Sequence, residues 1–211
     1  MKYPIHRRNI AQQAQQGTLI VDAPLDGTLT NSLGNQYTVA VVTNMSPTFV
    51  ADSGRQVYQN TQYGQSAARA LRAKQSSSNM LPVGSYVFEF EFNLNSLING
   101  QIIFEHIPSD NMSGAAFYNQ GGGLFAFVQN YTASGSVVTS SGSISLQSGI
   151  WYKIHFEISA NAGSVTVNNQ TLTYTVNGVM TYSQPVFGSG LTNWYANPIM
   201  GKIKNIKVWK L

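Results

Sequence analysis

The chain has 211 residues, enough for one all-β sandwich to bury a core unaided, and 43 % of them are hydrophobic while only 9 % are charged. Twelve basic and eight acidic residues leave a formal net charge of +4, too sparse for the basic, aromatic-interleaved stripe that a nucleic-acid partner requires. There is no cysteine, which excludes disulfides, thiolate metal sites and thiol chemistry, and no apolar run is long enough to predict a membrane-spanning helix.

Residues 1–17 read as an arm. Lys2, Arg7 and Arg8 carry its charge with no acid beside them, RRNIAQQAQQ is made of good helix formers, and Gly17 stops it. Its apolar content, chiefly Ile5 and Ile10, is too small to fold alone, so Lys2, Arg7, Arg8 and Ile10 are expected to attach the chain to a partner. The basic residues are not followed by an apolar stretch, and no export signal is expected.

From Thr18 to residue 211 the period of hydrophobicity is two, with Gly, Asn and Asp turns between short runs, which predicts one β domain. Strands are predicted at Thr18–Val21 and Gln36–Thr43, whereas residues 61–80 are ambiguous because AARALRAK favours a helix. Tyr86–Leu94 is the clearest strand: Tyr86, Phe88, Phe90, Phe92 and Leu94 share one face, and Val87, Glu89, Glu91 and Asn93 the other. Gln101–Glu105, Leu124–Gln129 and Trp151–Ile158 follow. In the last of these, Tyr152, Ile154, Phe156 and Ile158 oppose Trp151, Lys153, His155 and Glu157. Val165–Asn168 and Thr171–Val176 pair as a hairpin across Asn169-Gln170, with Asn168-Asn169 as the other corner open to it. The C-terminal run carries Lys202, Lys204, Lys207 and Lys210, and its apolar Ile203, Ile206 and Val208 share a face only if the strand bulges near Lys204-Asn205.

Four stretches, in this order, resemble the laminin G-like branch of the concanavalin A-like lectin and glucanase superfamily: APLDGTLTNSLGNQYTV, Ser85 to Phe92, Gly149 to Ile154, and Pro198 to Trp209. The resemblance covers residues 18–211. It implies a two-sheet antiparallel β-sandwich, the concanavalin A-like jelly roll, and it implies a strand over Ala67 to Ala73 where propensity favours a helix.

Laminarinase-type glucanases of this superfamily place Glu, Asp and Glu at alternate positions of one strand, and Glu89-Phe90-Glu91-Phe92-Asn93 is the nearest match here. Asn93 then stands at the acid/base position, where an amide cannot deliver a proton, so no catalytic residue and no hydrolase activity are expected. The acids are scattered and His6, His106 and His155 have no ligand spacing, so neither a metal site nor a cofactor is expected. Carbohydrate recognition needs aromatic faces beside amide or carboxylate groups. Two loops supply them: Asn193, Trp194, Tyr195 and Asn197 in one, Asp110, Asn111, Tyr118 and Asn119 in the other.

A low-charge, amide- and hydroxyl-coated β domain without an export signal suits a non-enzymatic virion structural protein: a capsid decoration, head fibre or tail component of a bacteriophage. It would be made in the host cytoplasm, bound to other virion subunits through its arm, oligomeric, and able to adhere to cell-surface glycan. The alternatives are a free carbohydrate-binding lectin module and a degenerate glucanase.

Overall fold

The computed structural model describes residues 17–42, 46–60, 70–78, 81–82, 84–107, 115–129, 138–159, 162–176, 184–188, 197–198 and 200–211. Among these residues there is no helix. Strands follow in chain order: β1 (Thr18–Ala23), β2 (Tyr37–Val41), β3 (Phe49–Asp52), β4 (Arg55–Asn60), β5 (Leu71–Gln75), β6 (Tyr86–Leu94), β7 (Gln101–Ile107), β8 (Ala115–Asn119), β9 (Leu124–Gln129), β10 (Val138–Ser140), β11 (Ile144–Ser145), β12 (Trp151–Ile158), β13 (Ala162–Val167), β14 (Gln170–Val176), β15 (Gln184–Phe187), β16 (Asn197–Pro198) and β17 (Gly201–Lys210). They form two sheets. One is ordered β10-β14-β13-β12-β6-β17-β4-β3, with β1 also pairing β17; the other is ordered β11-β9-β8-β7-β15-β5-β2, with β16 pairing β7. The described residues thus form an all-β, two-sheet antiparallel sandwich, as the resemblance implied. The one exception to antiparallel pairing among the described strands is the short β16, which runs parallel to β7.

The core comes from alternation, since every second residue of β6 and β12 turns inward to meet the other sheet. Phe88, Phe90 and Phe92 of β6 and Phe156 of β12 are fully buried, as are Phe117 and Phe187 opposite them. Phe104 of β7 stacks on Phe156 with centroids 4.2 Å apart, and Phe187 of β15 sits edge-on to Phe90 at 5.0 Å. These rings from both sheets interleave, so the two layers are held by aromatic contacts as well as by buried area.

The bulge in β17 is present. Lys204 pairs Glu91 and Lys207 pairs Glu89, so three steps on β17 span two on β6, and Asn205 takes a left-handed φ of 55°. Ile203, Ile206 and Val208 are consequently all fully buried. Of the strand that the resemblance implied over Ala67 to Ala73, residues 71–73 lie in β5, Ala70 precedes it and residues 67–69 lie outside the described residues; propensity misleads over 71–75, where Leu71 and Ala73 are buried and burial outweighs the helical preference of Ala, Arg and Lys. The corner of the β13–β14 hairpin is Asn168-Asn169 rather than Asn169-Gln170. Val167 pairs Gln170, and the two asparagines adopt φ of 48° and 66°, the left-handed pair that a tight type I′ turn demands. A similar turn, Ser53-Gly54 with φ of 51° and 84°, joins β3 to β4, a hairpin that the period-two pattern did not reveal. Residues 1–16 of the predicted arm lie outside the described residues.

Candidate functional site

The outward face of the nine-stranded sheet gathers most of the described charge. Inward burial of Phe88, Phe90 and Phe92 forces Glu89, Glu91 and Asn93 outward on β6, and the same alternation turns Trp151, Lys153, His155 and Glu157 outward on β12. Register then sets the neighbours. Asn93 lies beside Trp151, Glu91 beside Lys153 and Glu89 beside His155, while β17 brings Lys202, Lys204 and Lys207 to the other side of the same three β6 residues.

At the centre, Glu89 accepts from both Lys153 Nζ at 2.9 Å and His155 Nδ1 at 3.0 Å. His155 Nε2 lies 3.1 Å from Glu157 Oε1, so its ring is held between two carboxylates. Foremost the His155 hydrogen bond, and then Lys153, hold the Glu89 carboxyl down to about 2 against the opposing effect of burial. The same contact with Glu89, reinforced by Glu157, raises the His155 imidazole above its ordinary value.

One strand pair along, the bulge residue Asn205 donates from Nδ2 to Glu91 Oε1 at 2.6 Å, and Lys204 Nζ approaches Glu91 Oε2 at 3.3 Å. Lys204 also lies 4.0 Å from the centroid of the Trp151 ring, a cation–π contact that holds the indole on the sheet. Arg55 Nη2 donates to Asn205 Oδ1 at 3.3 Å and to the Pro24 carbonyl at 2.9 Å, which ties β4 to the bulge. At the far edge Lys202 pairs with Asp52 at 3.0 Å, and this bond to Lys202 is the main reason the Asp52 carboxyl is lowered. On the opposite flank Thr166 and Thr171 hydroxyls meet at 2.8 Å. The whole face is a braced array of charges, amides and hydroxyls, with the Trp151 indole beside Asn93 and Trp209 opposite Val87.

Of the loop residues proposed from sequence, Asn193, Trp194, Tyr195, Asp110 and Asn111 lie outside the described residues, as do Lys2, Arg7, Arg8 and Ile10 of the arm. Asn197 opens β16, and Tyr118 lies on β8; the two strands flank β7, with Asn197 opposite Gln101 and Tyr118 opposite Ile102. Tyr118 is half-buried. Asn119 points into the sandwich with no exposed surface. Its amide donates to the Ile98 carbonyl at 3.1 Å and its oxygen accepts from Gly121 N at 2.9 Å, so it fastens loop ends and is not available to a ligand. Lys204, Asn205 and Arg55 were not singled out from sequence as members of a site, because only the pairing of β17 with β6 and β4 brings them there. The bulge-forming Lys204-Asn205 step and the outward set of β12 are visible as patterns in the sequence.

No protein-family model and no curated protein matches this chain. Solved structures match it in fold. Domain 4 of the extracellular arabinanase AbnA from Geobacillus stearothermophilus, solved in complex with arabinotriose, aligns at TM-score 0.63 and 13 % identity over 93 % of this chain and 94 % of that one. The alginate lyase vAL-1 from Chlorella virus aligns at TM-score 0.55 and 13 % identity over 92 % of this chain and 100 % of that one. The binding domain of botulinum neurotoxin DC, in complex with SialylT, aligns at TM-score 0.59 and 12 % identity over 92 % of this chain and 48 % of that one.

Proposed function

We propose that this chain is a non-catalytic, carbohydrate-binding module of lectin type, and that the outward face of the nine-stranded sheet takes part in binding. The observation that carries the reading is that the charged groups of that face are paired with one another. Glu89 is clamped as a carboxylate by Lys153 and His155, Glu91 is held by Asn205 and Lys204, and the third position is Asn93. A general acid must hold a proton near neutral pH, and a carboxyl lowered to about 2 does not. Fixed carboxylate, ammonium and amide groups around an indole suit the hydroxyls and apolar ring faces of a sugar. Glycan binding by two proteins of the same fold, one seen with arabinotriose and one with SialylT, supports the ligand class.

The test is a glycan array with the full chain, followed by titration of any hit against Trp151→Ala, together with a reducing-sugar assay on β-glucan and arabinan. Binding weakened by the Trp151 change with no sugar released is expected. Release of sugar that Glu89→Gln abolishes would overturn the reading. A finer proposal is that the module is displayed on a virion, docked through residues 1–16. It is supported by the acid-free, basic composition of that segment, which suits an acidic partner surface. Stoichiometric copies in purified particles, lost on deleting residues 1–16, are the expected outcome.

A further inference from the structure

A neutral imidazole carries one N–H and one lone pair, whereas a protonated one carries two N–H donors. His155 has a carboxylate oxygen at each ring nitrogen, Glu89 at 3.0 Å and Glu157 at 3.1 Å. Both contacts are attractive only in the protonated ring. Once the proton leaves, one carboxylate faces a lone pair, and that contact turns repulsive. Glu89 keeps Lys153 at 2.9 Å and its side chain is 23 % exposed, while Glu157 is 50 % exposed, so Glu157 is the group that swings free.

The charged surroundings do not rescue the pair. Glu91 stands one position along β6, Lys153 and Glu157 flank His155 on β12, Thr166 faces it from β13 without a charge, and Lys207 stands beyond Glu89 on β17. Lys153 is already engaged by Glu89, and Lys207 is separated from the ring by the Glu89 strand position. Deprotonation therefore removes one positive charge from the face and leaves a half-exposed carboxylate projecting from it.

We propose that His155 is a pH-operated clasp on this face, holding Glu89 and Glu157 together while protonated, and that carbohydrate binding weakens as the clasp opens. The coupling to carbohydrate rests on the binding function proposed above; the clasp itself does not. Opening costs affinity in two ways: a free carboxylate is added where sugar hydroxyls would lie, and side chains that were braced regain rotamer freedom that binding must remove again.

Two measurements decide it. Proton NMR of the His155 ring in the full chain should show titration above the ordinary value, moved down by Glu157→Gln and moved further by Glu89→Gln. Titration at the ordinary value, or no response to either change, overturns the clasp. A printed array of neutral oligosaccharides, read at acidic and at mildly alkaline pH, should show binding fall by about two- to fivefold, the size expected of one charged contact at a half-exposed site. His155→Gln, which cannot titrate, should bind with no such pH dependence. If the ring titrates as expected but array binding is flat with pH or persists unchanged in its pH dependence in His155→Gln, the coupling is overturned while the clasp stands. Absence of binding at every pH overturns the coupling and with it the carbohydrate reading, and the NMR titration still decides the clasp.

Discussion

Phe90 and Glu91 are neighbours in sequence with opposite fates, and their substitution separates packing from surface chemistry. Phe90 touches rings of both sheets, Phe92 and Phe156 on its own and Phe104 and Phe187 on the other, with no exposed surface. Phe90→Ala is expected to cost about 3 to 5 kcal/mol, read as a shifted denaturant midpoint at unchanged slope. Glu91→Thr gains strand propensity but loses the Asn205 hydrogen bond, and is expected to cost about 1 kcal/mol rather than to be neutral. The Glu89–His155 pair sets a pH window. The Glu89 carboxyl lies below its unfolded value of 4.5, so its contribution is complete above that pH and is lost as pH falls towards about 2. The His155 imidazole lies above its unfolded value of 6.5, so its contribution is complete below that pH and is lost as pH rises through the folded value. Both are present together between 4.5 and 6.5. Urea unfolding should therefore show a plateau of stability in that interval, and Glu89→Gln should lower the plateau by about 1 kcal/mol, since water reaches the pair and screens it.

Elements are joined here by residues in left-handed conformations, and each such position makes a test of the register. Asn169, at φ 66°, is the second residue of a two-residue turn, where glycine carries no steric penalty. Asn169→Gly is expected to stabilise by about 0.5 kcal/mol, whereas the same change at Gln170, a paired residue of β14, should destabilise by a similar amount. Thermal unfolding of the two variants distinguishes the corner at Asn168-Asn169 from one at Asn169-Gln170. Gly201, at the start of β17, is wedged between β4 and β6: a Cβ there would lie 2.2 Å from the Asn93 carbonyl oxygen. Gly201→Ala should cost about 2 to 3 kcal/mol, because the atom that must give way is backbone. The bulge two turns of the pleat further on is what allows β17 to keep Ile203 and Ile206 inward while aiming Asn205 at Glu91 and Arg55.

At the scale of the molecule, one core spans both sheets, from Ile20 in β1 to Val208 in β17. First and last strands pair, Thr18 opposite Lys210, so the two ends of the domain close on each other. Deleting residues 1–16 is therefore expected to leave a single cooperative unfolding transition, measured by circular dichroism during heating. Loss of cooperativity would place part of the core in that segment.

What the sequence determined by itself is local alternation: β6, β9 and β12 have the limits that a period of two gives them, and the β17 bulge follows from three apolar residues spaced three and two apart. Backbone geometry leaves a strand with aromatics on alternate positions little else to do. Strands with weaker alternation escaped it, among them β3 and β4, whose turn Ser53-Gly54 is a short-range signal without apolar runs beside it. The site followed the same division. Glu89, Glu91 and Asn93 were readable on one face because they share a strand. That His155 and Lys153 clamp Glu89, that Lys204 covers Trp151, and that Asn205 reaches Glu91 were decided only by tertiary structure, since register between strands distant in sequence, 66 residues from Glu89 to His155 and 114 from Glu91 to Asn205, depends on which faces the whole sandwich buries.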